Sequence, residues 1–457
     1  MRKIVLLLIL LLSSLIMFAC GEKETININK TNIVFYARHF EDWSDEFTKS
    51  AVNRFNELED NDVYVTLKIY DSDTYTTSLV TVRENGNCPD LYMNSYSSIP
   101  HETYQENIVE LNQFYDSNVW NDLKDNVLEF VTFNDKIYGM PWFSEPSSIL
   151  FYRKDILQKY GFNEAPKTFD ELYNICSKIQ PTLRIGQYSI GLPISQSDLA
   201  WATWGMQYNL TNGLAVSDDW LESRINHDGY KELTKFFYTC VKNNYCNTSN
   251  ISSNGYTDIN EALYSGNIMM SIAGSWQIAL LYTLAKQDDN LEFIDKIGIA
   301  PIPTLDGNYN TTTATNGGWC YSISSQSNKT KQEAAAKFIK WLFFDNPEIL
   351  SEYFIASYMS RIPASKKVST LLDTKELNVS KEWIDIVNSV SILSKSEALY
   401  SWDISYEVSN LIISTFQSSS SSFESAYQNS IKKVNNNISM IMSRESYTKN
   451  PWYKESE

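Results

Sequence analysis

The sequence predicts an α/β protein built as two lobes, and three observations predict it. The chain has 457 residues, more than one hydrophobic core usually supports, since single cores stop growing at about 250–300 residues. It is 43% hydrophobic and 20% charged, which places it among globular rather than disordered chains. Short apolar runs with β character alternate with helical stretches, the pattern of βαβ units and a mostly parallel sheet.

The first run is Ile33-Val34-Phe35-Tyr36, followed by a loop, Ala37 to Trp43, and a helical stretch to Leu58. Val63 to Tyr70 reads as a second strand because Val63, Val65, Leu67 and Ile69 alternate with other residues. After another helix, Pro89 to Met93 forms a third strand. Ligands of such sheets sit beyond the carboxyl ends of the strands. Those ends are the stretches Tyr36 to Trp43, Tyr70 to Tyr75 and Asn94 to Ser98. His39, Trp43 and Asn94 are candidate ligand contacts there.

A second series begins after Lys136 to Pro141, with a strand at Ile149 to Arg153 and a short helix, Lys154 to Tyr160, that stops at Gly161. Thr168 with Glu171 three residues later has the form of a capping box opening the next helix. Further strands are expected at Ile268 to Ile272, Ile297 to Pro303 and from Gly317 to Ile323. Beyond Lys331 the chain reads as mainly helical: Ala334 to Phe343 carries an apolar face of period 3.6, and a last helix spans Phe423 to Ser443.

The N-terminus carries a targeting signal. Arg2 and Lys3 precede an apolar stretch, Ile4 to Phe18, broken only by Ser13 and Ser14 and ending at Ala19-Cys20-Gly21. That stretch is short for a membrane span, which takes about 20 apolar residues; it has the form of a secretory signal peptide, residues 1–19. A small residue before a cysteine resembles a bacterial lipobox, which would make Cys20 a lipidated N-terminus and residues 20–30 a tether. Met17 and Phe18 depart from the preferred residues of that motif.

The formal net charge of −17 repels phosphate backbones and argues against nucleic acid as a partner. Beyond Cys20 the cysteines are Cys88, Cys176, Cys240, Cys246 and Cys320, an odd number, so they cannot all pair within one chain. Cys240 and Cys246 are close enough in sequence to bridge around a helix end; the alternative is a set of buried thiols acting as small hydrophobes. With three widely spaced histidines and no CxxC spacing, a zinc site is not expected, and no cofactor is called for.

The order of these motifs resembles the family 1 extracellular solute-binding proteins of ABC importers, the maltose-binding-like class. The stretches that carry the resemblance are Lys136 to Trp142, Phe151-Tyr152-Arg153-Lys154-Asp155, Gly161 to Leu172, Ala262 to Trp276, Ile297 to Pro303 with Gly317-Gly318, and Arg361-Ile362-Pro363. Arg153 stands where the family usually has Asn. Each motif is weak alone; their order and spacing are specific, and they cover essentially the whole chain after the leader. The resemblance implies a periplasmic-binding-protein fold of type II, with a ligand cleft between lobes joined by crossing strands. Lobe one would take residues 31–140 and 304–345, and lobe two 141–303 and 346–457. It also implies a monomer, held to an envelope membrane by its N-terminal lipid, that hands its solute to the permease subunits of the importer.

A sugar is the expected solute. Aromatic residues make up 14% of the chain, with 29 Tyr and 12 Trp; most of them fill the core, but a Tyr or Trp ring also offers a flat apolar face with one polar handle. Sugars have CH faces that rings cover and a rim of hydroxyls that carboxylates, amides and Arg pair. Trp276, after Gly274-Ser275, resembles the stacking Trp of the family, and Ser275 accompanies it. Trp319 follows two glycines that let the backbone approach closely. Trp201 and Trp204, three apart, would share one helix face, with Trp204 the better candidate. Glu145 at the lobe junction, Arg361 before a proline and Asp403 beside Trp402 are the polar candidates, each set against a surface salt bridge.

Two other classes of function compete with this reading. A secreted carbohydrate-active enzyme needs two carboxylates across a glycosidic bond, and none of the acidic residues lies in a recognisable catalytic motif; GxSxG and HExxH are both lacking. A surface adhesin on an inherited fold is the other, since fold does not fix function. Among solutes, polyamines also use acidic and aromatic walls, whereas a phosphate-bearing ligand would call for more Arg and Lys near the cleft.

Overall fold

The computed structural model describes residues 29–248, 256–444 and 450. The leader and the lipidation candidate Cys20 lie outside the described residues. The first unit is β1 (Thr31–Arg38), α1 (Asp42–Asn56), β2 (Val63–Tyr70), α2 (Ser72–Glu84) and β3 (Leu91–Ser95). β1 pairs in parallel with both β2 and β3, as the alternation of strands and helices requires. A hairpin, β4 (Thr132–Phe133) with β5 (Lys136–Ile137), leads into β6 (Met140–Pro146).

Only Ser147 and Ser148 separate β6 from β7 (Ile149–Arg153), yet the two strands belong to different sheets. The second lobe follows: α3 (Phe169–Ile179), α4 (Gln196–Ala202), α5 (Trp204–Thr211), α6 (Asp228–Lys242), α7 (Tyr256–Ser265), β8 (Met270–Ala273), α8 (Gln277–Gln287) and β9 (Ile297–Pro301). The chain returns through β10 (Thr315–Ile323), α9 (Lys329–Lys340), α10 (Pro347–Ala356), β11 (Ile362–Pro363) and α11 (Lys366–Asp373). It ends with α12 (Lys381–Leu393), β12 (Lys395–Ser396), α13 (Trp402–Gln417) and α14 (Phe423–Arg444).

The larger sheet has the order β11-β6-β10-β3-β1-β2, with β12 beside β10; the smaller is β8-β7-β9. The expectation of a mostly parallel sheet is corrected here. β10 runs antiparallel to both β3 and β6, and β7 runs antiparallel to β8 and β9. The reason lies in the connections: β10 enters the first sheet from the opposite lobe, so it meets β3 and β6 head to tail.

Two cores support the lobes. One gathers Phe35, Phe55, Tyr92, Trp142, Tyr321 and Phe338 around the larger sheet. The other gathers Leu172, Trp204, Tyr230, Phe236, Ile404 and Ile412. A third cluster, with Ile149, Phe151, Ile299 and Trp383, lies on the smaller sheet. The motif order puts the segment 347–372 in lobe two, but Leu350, Tyr353, Phe354, Val368 and Leu372 are buried in the first core. β11 adds to the edge of β6, and the Tyr353 ring packs 4.2 Å from Trp142 and 5.7 Å from Phe143. Those contacts hold this stretch on lobe one before α12 crosses back.

Locally, Thr168 and Glu171 form the expected capping box at the start of α3, and Gly161 has φ +85°, the left-handed conformation that suits a helix end. Cys240 and Cys246 are both free and buried, as are Cys176 and Cys320. Burial pushes the Cys246 thiol up to about 12, so it packs as an uncharged side chain.

Candidate functional site

The two lobes enclose a cleft of about 1590 Å³, larger than the 300–1,000 Å³ common for small-molecule pockets. The first lobe contributes the carboxyl ends of its strands, as the βα pattern requires. Arg38 ends β1 and is followed by Phe40 and Glu41; Tyr75 follows β2; Asn94, Ser95, Ser97 and Ser98 end β3; Glu145 ends β6. The second lobe contributes Trp201 from α4, Trp276 after β8, and Trp402 and Tyr406 from α13.

Trp319 lines the cleft beside an irregularity in the pairing of β10 with β6. The register between β10 and β6 shifts between Trp319 and Cys320, so that Trp142 on β6 is passed over. Such a bulge re-aims the neighbouring side chains: Trp142 is buried in the core, while the partly exposed Trp319 lines the cleft. Its ring stands 5.3 Å edge-on from Phe40 and 6.1 Å from Tyr75. The glycines before it make room. A Cβ on Gly318 would lie 2.2 Å from the Phe143 carbonyl oxygen, and one on Gly317 would lie 2.6 Å from Glu397 Oε1.

On the opposite wall the Trp201 and Trp276 rings meet at 5.0 Å with a tilt of 51°. Trp402 packs 5.8 Å from Tyr406 and 5.2 Å from Trp204. Trp204 itself does not line the cleft. It is 1% exposed within the second core, and its indole N–H donates to Ser405 Oγ at 3.3 Å. The helix expected to carry both Trp residues on one face is interrupted at Thr203, between α4 and α5, so Trp201 faces the cleft and Trp204 the core.

A charged network forms the floor. The Arg361 guanidinium donates from Nε to Glu145 Oε1 at 3.0 Å, and from Nη1 and Nη2 to the two oxygens of Glu41 at 3.1 and 3.2 Å. The rings of Phe40, Trp43, Phe143 and Tyr353 surround it at 5.0–5.8 Å. Burial works to lower the Arg361 pKa, but the carboxylates of Glu145 and Glu41 overcome it and hold the cation well above its ordinary value. Glu145 is pushed up by burial, with Arg361 working against the shift. The candidates Glu145 and Arg361 thus hold each other, and Glu41, not singled out from sequence, is the third member of the network.

Glu397, also not singled out, joins the two walls. Its Oε1 accepts the Trp201 indole N–H at 2.7 Å, and Ser97 of the first lobe hydrogen-bonds to it as well. Burial raises its pKa, and the bonds from Trp201 and Ser97 oppose the rise. Arg38 lies over Phe40 at 4.8 Å and Trp319 at 5.1 Å, and burial lowers its pKa.

The remaining candidates sit as follows. Asn94 lines the cleft, is 4% exposed, and its Nδ2 has no hydrogen-bond partner among the described residues. Ser275 is fully buried and its hydroxyl has no partner among the described residues; its backbone N–H donates to the Pro146 carbonyl at 2.9 Å, tying β8 to the crossing strand. Trp43 backs Arg361 instead of lining the cleft. His39 pairs with Asp45 at 2.9 Å and Asp403 with Arg444 at 2.7 Å; both lie outside the cleft lining. Among the described residues no cluster of His, Cys, Asp and Glu suits a metal ion.

Comparison with known proteins bears on this arrangement. Residues 50–383 match the model of a family described as bacterial extracellular solute-binding proteins. The chain is 25% identical over 401 residues, 84% of each protein, to the putative ABC transporter periplasmic-binding protein YcjN of Escherichia coli. Solved structures similar to it include the GacH receptor of Streptomyces glaucescens, studied unliganded and with acarbose (TM-score 0.72, 15% identity, covering 90% of this chain and 99% of that one). An ABC transporter solute-binding protein of Thermotoga lettingae bound to α-D-tagatose is similar to the same degree (TM-score 0.72, 19% identity, 90% and 100% covered). So is maltose-bound T. maritima MalE3 (TM-score 0.72, 20% identity, 89% and 99% covered). All share the two-lobed, maltose-binding-like fold.

Proposed function

Because this chain belongs to the bacterial extracellular solute-binding protein family, we propose that it is the extracytoplasmic receptor of an ABC importer, capturing a mono- or oligosaccharide between its lobes and passing it to the membrane permease. One observation carries the reading. Indole and phenyl rings from both lobes, Trp319 and Phe40 on one and Trp201, Trp276 and Trp402 on the other, face a single large cleft whose floor supplies amide, hydroxyl, guanidinium and carboxylate groups. Rings bury the apolar faces of a pyranose, and the polar groups replace the water that its hydroxyls give up. Ser147 and Ser148, with the second crossing between β9 and β10, allow the lobes to bend about a short hinge and close on the ligand.

The sugars held by the similar structures support a saccharide over a polyamine or peptide. In this reading the protein binds without chemistry: Glu41 and Glu145 are both engaged by Arg361, so neither is placed as a free acid or nucleophile for glycoside cleavage. Removal of residues 1–19 and lipidation of Cys20 would tether the monomer to the envelope membrane beside its permease. A thermal-shift screen against a carbohydrate panel tests the function. A saccharide present at 100 times its Kd should add about 2.7 kcal/mol of stability, with the sugar recovered intact; a panel without any stabilising sugar overturns the reading.

A further inference from the structure

We propose that Glu397 is the positioning residue that sets the angle between the lobes, by holding Trp201 of the second lobe to Ser97 of the first. This role belongs to the hinge and holds whichever solute the cleft takes. Two other ion-pair networks of the cleft stay within the first lobe. Arg361, beside β11, bonds Glu41 after β1 and Glu145 on β6. Arg83 on α2 pairs with Glu102, which follows β3. Glu397 is different, because its partners come from both lobes.

It lies between β12 and α13, in the last stretch that passes between the lobes. α12 before it packs Trp383 and Val387 on the smaller sheet. β12 pairs with β10 of the larger sheet through Lys395 and Ser396, and α13 buries Ile404 and Ile412 in the second core. Trp201 on α4 donates its indole N–H to Glu397 Oε1 at 2.7 Å. Ser97, in the turn after β3, donates to the same carboxylate from its hydroxyl and from its backbone N–H. Tyr208 on α5 grips the stretch from the second lobe as well, its hydroxyl donating to the Ser396 carbonyl at 3.0 Å.

Three donors from two lobes thus converge on one buried carboxyl group. Among the described residues no lysine or arginine forms an ion pair with it, so these hydrogen bonds answer its charge, and bonds to an ionised acceptor are stronger than neutral ones. The crossing strand makes room for it: a Cβ on Gly317 would lie 2.6 Å from Oε1. Through its N–H the Trp201 ring is fixed in place, and the Trp276 ring packs against it at 5.0 Å. Opening the cleft draws Ser97 and Trp201 apart, so the carboxylate must release one of them. Removing the link shifts the unliganded population toward more open arrangements.

The test is solution X-ray scattering of the unliganded chain, wild type against Glu397→Ala and Trp201→Phe, each paired with a thermal melt. Trp201→Phe keeps an aromatic ring and the carboxylate and removes only the N–H that joins them. Both variants should have a larger radius of gyration than the wild type. An unchanged or smaller value in either folded variant overturns the proposal, even where its thermal midpoint falls, since a link that only stabilises the fold would lower the midpoint and leave the lobe angle alone. If Glu397→Ala does not fold, Trp201→Phe decides. No ligand enters the measurement, so its outcome is separate from that of the saccharide screen.

Discussion

Arg361 shows how much of the site depends on contacts distant in sequence. It is 2% exposed and pairs with Glu145 and with Glu41, the latter 320 positions away. Removing one member of such a buried network leaves the others desolvated and unpaired, at a cost of about 3–5 kcal/mol. Arg361→Ala should therefore lower the urea-unfolding free energy by that amount, and a loss under 1 kcal/mol would contradict the network. Glu397 makes a pH prediction. Burial raises its pKa in the folded state, so the folded protein holds this proton more tightly than the unfolded chain. Stability from this group is therefore greatest in acid and falls as pH rises from the unfolded value, about 4.3, through the folded one. Relative to Glu397→Gln, the wild type should lose stability over that window in paired denaturation curves; a difference that stays flat or grows with pH would contradict it. Sequence reading reached Glu145 and Arg361 as polar groups of the cleft but not their mutual pairing, nor Glu41 and Glu397, because nothing local marks a carboxylate whose partner lies on another strand or lobe.

At the scale of elements, the strand ends were the most legible feature. Alternation placed Val63–Tyr70, and a short apolar run placed Ile149–Arg153, at the observed bounds, and the carboxyl ends of β1 and β3 and the first turn of α2 supply Arg38, Asn94 and Tyr75 to the cleft. The capping box was legible for the same reason, since its chemistry spans four residues. Thr168→Ala should cost about 1 kcal/mol, read as a shift in the thermal midpoint, and no shift would mean the cap is dispensable. The break between α4 and α5 was not legible. Neither Gly nor Pro marks Thr203, so a continuous helix would have put Trp201 and Trp204 on one face. The core's demand for Trp204 and Glu397's hold on the Trp201 N–H decide the outcome instead. The bulge at Trp142 likewise arises from pairing between strands and leaves no mark in either strand's own pattern.

At the scale of the molecule, the account is of two compact halves that close on a ligand. The motif order conveyed this architecture, whereas the assignment of residues 347–372 to the first core depends on Tyr353 packing against Trp142 and Phe143, contacts no periodicity encodes. If closure accompanies binding, a bound saccharide should reduce the radius of gyration in solution scattering, and an unchanged or larger value would contradict it. The rings should carry much of the affinity. Trp276→Ala and Trp319→Ala should each cost about 1.5–3 kcal/mol, roughly 10- to 150-fold in Kd, and unchanged affinity would remove that residue from the site. The most direct test of the central claim is calorimetric titration of the leaderless protein with a saccharide panel, followed by recovery of the ligand. The account predicts one saturable site per chain for a saccharide that is returned uncleaved; a panel in which no saccharide binds, or one that comes back hydrolysed, would contradict it.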